Sequence, residues 1–296
     1  MNSFLSFLRE PPSEQLLVRL EDGDHISLEV TTPPSWKETD GTVLLVHGLC
    51  GSHRSPNLVR MAKLVADVGL RGVRFNMRGC GSGEGLAKRI YHSGSSEDLF
   101  AAIKKLKEQA PNSPITLIGF SLGGNVVLKL AGELGELGSL FFKKVIAVSP
   151  PMDLYASILL LSQPENGIYE RYFYRLLRKG VLYLQKTFSD VPKIYLPPRL
   201  KIYEFDQLYT VPVCGFRTAE DYYERCSSLY LIEEIGVPCT ILLSEDDPIV
   251  SQYSLDNLSL PSHIDVCKTK HGGHMGYIGK EEFYWLDNLL LKWIVK

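Results

Sequence analysis

Long apolar runs are scarce in these 296 residues: the longest, such as residues 158–161 and 289–291, fall far short of the roughly 20 a membrane-spanning helix needs. An integral membrane protein is therefore not expected. Cysteine is thinly spread, with six residues (Cys50, Cys80, Cys214, Cys226, Cys239 and Cys267) and no CxxC pair, which argues against a zinc or redox centre and against a disulfide-stapled secreted frame. Reduced thiols in a cytoplasmic protein are the expectation. Charge of one sign is also missing. Thirty-two Lys and Arg against 34 Asp and Glu leave a net charge of −2, no basic field to hold a phosphate backbone, and nucleic acid is not expected as a partner. The N-terminus carries Phe4, Leu5, Phe7 and Leu8 but neither the basic flank nor the small-residue cleavage site of a secretory signal, so no export is expected, while contact of these residues with a membrane surface stays open.

What is present is a globular composition, 45% hydrophobic and 22% charged, long enough for one large domain. Short β-branched runs at residues 42–46, 72–76, 115–119, 144–148, 239–244 and 264–269 read as buried strands. Helical stretches separate most of them. Residues 58–68 and 96–109 have apolar positions at helical spacing, and the second opens with acids that suit a helix N-terminus. The alternation predicts an α/β fold, a mostly parallel sheet with helices on both faces. Ahead of it, residues 16–20 and 25–30 flank Glu21-Asp22-Gly23-Asp24 and predict an antiparallel hairpin at the sheet edge.

Between Pro150 and about Gly236 the strand rhythm stops, and residues 151–235 read as a helical cap inserted into a single domain. Eleven of the 15 tyrosines fall there, as candidate walls of an apolar pocket or simply as glue between cap and core. Arg171, Arg175, Arg178 and Lys179 share one helical face, which reads first as a solvated surface and second as a face for lipid headgroups.

The strongest chemical signal is Gly119-Phe120-Ser121-Leu122-Gly123, directly after one strand and before a helix-like stretch. A sharp turn there lifts a serine hydroxyl clear of the sheet, and small flanking residues let neighbouring backbone pass. A serine needs a base to take its proton and an acid to orient that base. In this architecture the chain order is serine, acid, histidine. The strand at 239–244 runs into Glu245-Asp246-Asp247-Pro248, where Asp247 is the preferred acid and Asp246 its competitor; the strand at 264–269 leads to His271-Gly272-Gly273-His274, where His274 is the expected base. His271 and His274 do not make a metal site on this reading, because no further ligand stands near them. The oxyanion donors are expected to be the amides of Leu122, next to the nucleophile, and Leu49, in Val46-His47-Gly48-Leu49. His47 reads as a brace for that loop.

With these residues in place the chain resembles the α/β-hydrolase superfamily, and within it the YheT-like branch of esterases and lipases. The matching stretches include His47-Gly48-Leu49, Asn76-Met77-Arg78-Gly79-Cys80, Arg89-Ile90-Tyr91-His92-Ser93-Gly94, Phe205-Asp206 with Tyr209-Thr210, Asp221-Tyr222-Tyr223 with Cys226-Ser227-Ser228, and Gly272-Gly273-His274. The resemblance spans roughly residues 40–280 and implies a triad at Ser121, Asp247 and His274. The glycine-rich segment 81–85 departs from the branch. Mammalian members carry an N-terminal anchor, which is not expected here.

The expectation is a serine carboxylic-ester hydrolase acting through an acyl-enzyme on short- to medium-chain esters, with no cofactor. Phospholipid or thioester hydrolysis and acyl transfer to an alcohol use the same machinery, and a silent fold serving as a binding module is the rival from another class.

Overall fold

Strands buried on both faces read as near-continuous apolar runs, and residues 42–46 and 115–120 are written this way, whereas 71–76 carries two arginines and an asparagine. In the computed structural model, which describes residues 9–279 and 283–295, β3 (Thr42–Val46), β4 (Arg71–Asn76) and β5 (Ile115–Phe120) are buried at every position. The apolar residues Phe4, Leu5, Phe7 and Leu8 lie outside the described residues. β6 (Lys144–Val148), β7 (Cys239–Ser244) and β8 (Ile264–Thr269) extend the sheet in parallel on one side. On the other, β1 (Glu14–Arg19) and β2 (His25–Thr31) form the hairpin expected from the turn tetrad, and β2 pairs antiparallel with β4. Among the described residues the order is β1-β2-β4-β3-β5-β6-β7-β8, the mostly parallel sheet of an α/β-hydrolase fold.

Alternation along β3 assigns the two faces. Val43 and Leu45 join one cluster with Leu58, Met61 and Val65 of α1 (Pro56–Asp67) and with Leu290 and Ile294 of the C-terminal helix Trp285–Val295; Leu44 and Val46 join the other with residues of α2 (Ser96–Gln109) and α3 (Leu122–Leu134). Proline at the first turn starts α1 without loss, since that amide has no helical partner to give up. Arg78, from the Arg-Gly-Cys stretch, is buried and forks onto both carboxylate oxygens of Asp98 at 2.7 and 2.8 Å, while reaching Asp22 and Asp24 in the hairpin turn. One guanidinium thus ties the edge hairpin to α2. Its removal would strand Asp98, whose side chain is only 2% exposed, without a cation.

Between β6 and β7 the chain is helical: α4 (Leu154–Leu161), α5 (Gly167–Thr187), two short turns around a π-helical segment at Asp206–Thr210, and α6 (Ala219–Cys226). Asp153 caps α4 by accepting from the Ala156 amide at 2.9 Å, and Thr218 caps α6 through Asp221. The final helix, α7, is Trp285–Val295. It is fixed by Asp287, which is buried and takes Arg60 of α1 at 2.5 Å. Among the described residues no helix is long and apolar enough to cross a membrane.

Candidate active site

The turn from β5 into α3 has one backbone solution. Ser121 sits at φ 51°, ψ −120°, a conformation that L residues rarely adopt. The residues two positions to either side have to be glycine for lack of room. A Cβ on Gly119 would lie 2.2 Å from the Gly123 carbonyl oxygen, and one on Gly123 would lie 2.4 Å from that of Val46. The two glycines of the motif therefore allow β3, β5 and α3 to converge behind the serine, and the strained turn presents its hydroxyl to the opposite side.

The other two residues arrive from the ends of β7 and β8. Ser121 Oγ lies 2.8 Å from His274 Nε2, and His274 Nδ1 lies 2.9 Å from Asp247 Oδ2. Asp247 is almost wholly buried, with a side chain 1% exposed. Its second oxygen accepts the Ile249 and Val250 amides at 2.8 and 3.0 Å. The carboxylate is thereby held with one oxygen aimed at the imidazole, a geometry that sets the Nδ1–H tautomer and leaves Nε2 free to accept from the serine.

Asp246 has a different place. Its side chain is 45% exposed and accepts the Ser244 hydroxyl at 2.5 Å and the Gly272 and Gly273 amides at 2.9 and 2.7 Å. The Ser244 hydroxyl, followed by these amides, pulls its pKa down to about 2. It clamps the loop that carries His274. A second clamp on that loop is Tyr277, buried, whose hydroxyl meets Ser149 Oγ at 2.7 Å. His271 points outward, with Nδ1 3.5 Å from Asp246 Oδ2. Among the described residues no group of three or more His, Cys, Asp or Glu is placed to hold a metal.

Leu49 and Leu122 line one cavity with Ser121 and His274. The loop bearing Leu49 is braced twice. His47 is fully buried; its Nδ1 bonds the Gly48 carbonyl at 2.8 Å and its Nε2 accepts the Met77 amide at 3.2 Å, while burial lowers its pKa to about 4. It remains neutral and structural. The second brace has no counterpart among the candidate site residues read from the sequence. Tyr91 Oη accepts the Cys50 amide at 2.6 Å, and Cys50 stands at φ 57°. The signal lay in the Tyr-His-Ser-Gly block, whose purpose is invisible until it meets the loop 41 residues earlier in the chain. Asn125, one turn into α3 and fully buried, holds the rest of that block: its amide donates to the carbonyls of Ser93 and Cys226, both at 2.9 Å, and its oxygen accepts the Ser228 amide.

On the side formed by α4 and α5 the cavity wall is mainly aliphatic, with Leu154, Ile158 and Leu161 from α4 and Leu177, beside Phe173, from α5. Of the eleven tyrosines between β6 and β7, Tyr222 and Tyr223 line it, and six (Tyr155, Tyr169, Tyr172, Tyr183, Tyr195 and Tyr230) are exposed. The tyrosine wall is thus small, because six of these side chains face outward, and the hydroxyls of the two that line it, Tyr222 and Tyr223, are taken by Ser93 and Asp206. Asp206, also on the wall, accepts from Thr210 at 2.6 Å and Tyr223 at 2.8 Å. Burial outweighs these bonds and raises its pKa to about 6. An acid raised on folding holds its proton in the native state while the unfolded chain has lost it, so stability falls as pH rises from about 4 to about 6. Asp206→Asn is expected to flatten that slope. Urea melts across this range check it, and an unchanged slope would place the titration elsewhere.

Comparison with known proteins follows the same outline. Residues 41–281 match the family model described as alpha/beta hydrolase fold. YheT of Escherichia coli K12, provisionally named an esterase, is 30% identical over 285 residues, covering 94% of this chain and 83% of its own. The monoacylglycerol lipase of Saccharomyces cerevisiae is 27% identical over 79% of this chain, which spans only 54% of that protein. Among solved structures, the Pyrococcus furiosus esterase Pf2001 superposes with a TM-score of 0.63 at 18% identity, over 100% of this chain and 92% of that one, a likeness of fold.

Proposed function

Because this chain belongs to the α/β-hydrolase family, among its esterases and lipases, we propose that it is a serine carboxylic-ester hydrolase working through an acyl-enzyme. The observation that carries the reading is the continuous line from Ser121 Oγ to His274 Nε2 and from His274 Nδ1 to Asp247 Oδ2, at 2.8 and 2.9 Å. Ser121 Oγ attacks the ester carbonyl carbon as its proton passes to Nε2; Asp247 keeps the imidazole oriented and balances the charge it gains. The amides of Leu49 and Leu122 hold the oxyanion. His274 then returns the proton to the leaving alcohol. Water attacks the acyl-enzyme with His274 again as base, freeing the acid and Ser121. Every proton in this cycle is carried by His274, and no cofactor enters it.

Residues 151–235 act as a cap whose α4 and α5 form the acyl side of the cavity, supporting short- to medium-chain acyl groups. The six cysteines are free thiols, which accords with a reducing, cytoplasmic setting. The test is hydrolysis of p-nitrophenyl esters from acetate to palmitate, with the Ser121→Ala protein as blank. Activity that peaks at short to medium chains and vanishes in the blank is expected. Activity that survives in the blank would dismiss the serine, and absence of both turnover and fluorophosphonate labelling at Ser121 would leave a silent binding scaffold.

Tyr91 gives a sharper prediction on the same reading. Tyr91→Phe leaves the Cys50 amide without its acceptor and loosens the Leu49 donor beside it, so kcat is expected to fall roughly tenfold with KM little changed. Steady-state kinetics beside a thermal melt separate this from simple destabilisation; a KM effect alone would contradict it.

A further inference from the structure

We propose that the outer face of α5, with the strap that follows it, is a docking surface for an anionic lipid bilayer. The outermost stripe of this 21-residue helix is Ile168, Tyr172, Arg175, Lys179, Leu182 and Lys186, all exposed and at alternating steps of four and three. It contains apolar and cationic side chains and no acid. Ile168 is 73% exposed and Tyr172 54%, far more than an ordinary helix flank leaves uncovered. Tyr169, Arg171 and Tyr183 border the stripe.

The strap adds to it. Residues 188–201 run back along α5, tied by Gln185 to the Ile194 carbonyl and by Arg178 to the Leu196 carbonyl, both at 2.9 Å. This places Tyr195, 79% exposed, beside the helix. From residue 167 to residue 203 there are eight Lys and Arg and two acids. Glu170 is buried and turned inward to Ser162 and the Ile202 amide, and Asp190 is paired with Lys88. The segment therefore carries +6 in a chain of net −2, leaving the rest at −8. Such segregation draws this segment toward a negative surface.

Charge alone would suit any polyanion, but the interleaved apolar groups select a bilayer. Tyrosines settle at the headgroup level, Ile168 and Leu182 can enter the acyl boundary, and Arg and Lys reach back to phosphates along their aliphatic stems. The opposite face of α5 supplies Phe173 and Leu177 to the cavity wall. Docking would thus put one helix thickness between the bilayer and the cavity. The proposal concerns binding and stands whether or not the ester-hydrolase reading does.

The experiment is flotation of the Ser121→Ala protein with phosphatidylcholine vesicles, with and without phosphatidylglycerol. Binding is expected only to the anionic vesicles and to weaken with salt. With each basic side chain near the surface contributing roughly a fivefold gain, Arg175→Gln with Lys179→Gln should cut vesicle affinity about 30-fold. Ile168→Ser with Tyr172→Ser should also weaken it without changing net charge. These residues are exposed, so circular dichroism should be unaltered in both variants. Binding equal on neutral vesicles, or unchanged in the charge variant, would overturn the proposal. So would a polyanion such as DNA that binds as tightly as vesicles and ignores the Ile168 and Tyr172 replacements, which would make the face a polyanion site.

Discussion

Ser121→Ala and His274→Ala are each expected to lower kcat for ester hydrolysis by roughly 10⁴- to 10⁶-fold, and the double variant no further than the worse single one. The two side chains share one proton across 2.8 Å; once either is gone the other has nothing to do. Losses that multiply in the double variant would mean that the two groups act independently. A companion variant separates chemistry from architecture. Ser121 occupies φ 51°, where a Cβ costs energy, so Ser121→Gly should be as inactive as Ser121→Ala yet more stable by about 1 kcal/mol. Chemical denaturation of the two inactive proteins measures the difference. Equal stability would show that the turn is relaxed by its surroundings.

Asp247→Asn is expected to cost about 10⁴-fold in kcat, while Asp246→Asn should cost roughly tenfold. The first replaces the one carboxylate oxygen facing His274 Nδ1 with a group free to present an N–H and reverse the tautomer. The second disturbs only the hold on Gly272 and Gly273. Asp246 also has a signature in acid. The Asp246 pKa is depressed in the folded chain, so its contribution is complete above its ordinary value near 3.8 and is lost as pH falls through about 2. Asp246→Asn should therefore remove acid resistance of the histidine loop without abolishing turnover at neutral pH. Comparable kcat losses in both variants would move the orienting role off Asp247.

Much of this was legible in the sequence because strands such as β3 and β5 are near-continuous apolar runs and the serine elbow is written in local steric terms: strand, Gly119, Ser121, Gly123, helix. Neighbouring acids were not separable. Asp246 and Asp247 differ by one position, and what divides them is the turn after β7, which folds the Ile249 and Val250 amides onto Asp247 and leaves Asp246 facing another loop. Helix α7 left little trace, since leucines at 289, 290 and 291 and Trp293 make it apolar nearly all round and blur its periodicity. Its docking depends on Arg60, 227 residues away. The tyrosines between β6 and β7 left two readings open for a related reason. Composition could count them, but only the packed structure decides which hydroxyls are spent on Ser93 and Asp206 and which face outward.

The order of the strands also has a consequence in time. The serine elbow follows β5, but Asp247 and His274 hang on β7 and β8, among the described residues the last two strands made and the last two at that side of the sheet. A ribosome finishes the elbow some 150 residues before it releases His274, since the pair is separated by 153 positions. Throughout that interval the nascent chain holds a serine with no partner to take its proton. On the proposed triad the enzyme is born unarmed, and a product of premature termination anywhere before β8 is expected to leave esters intact.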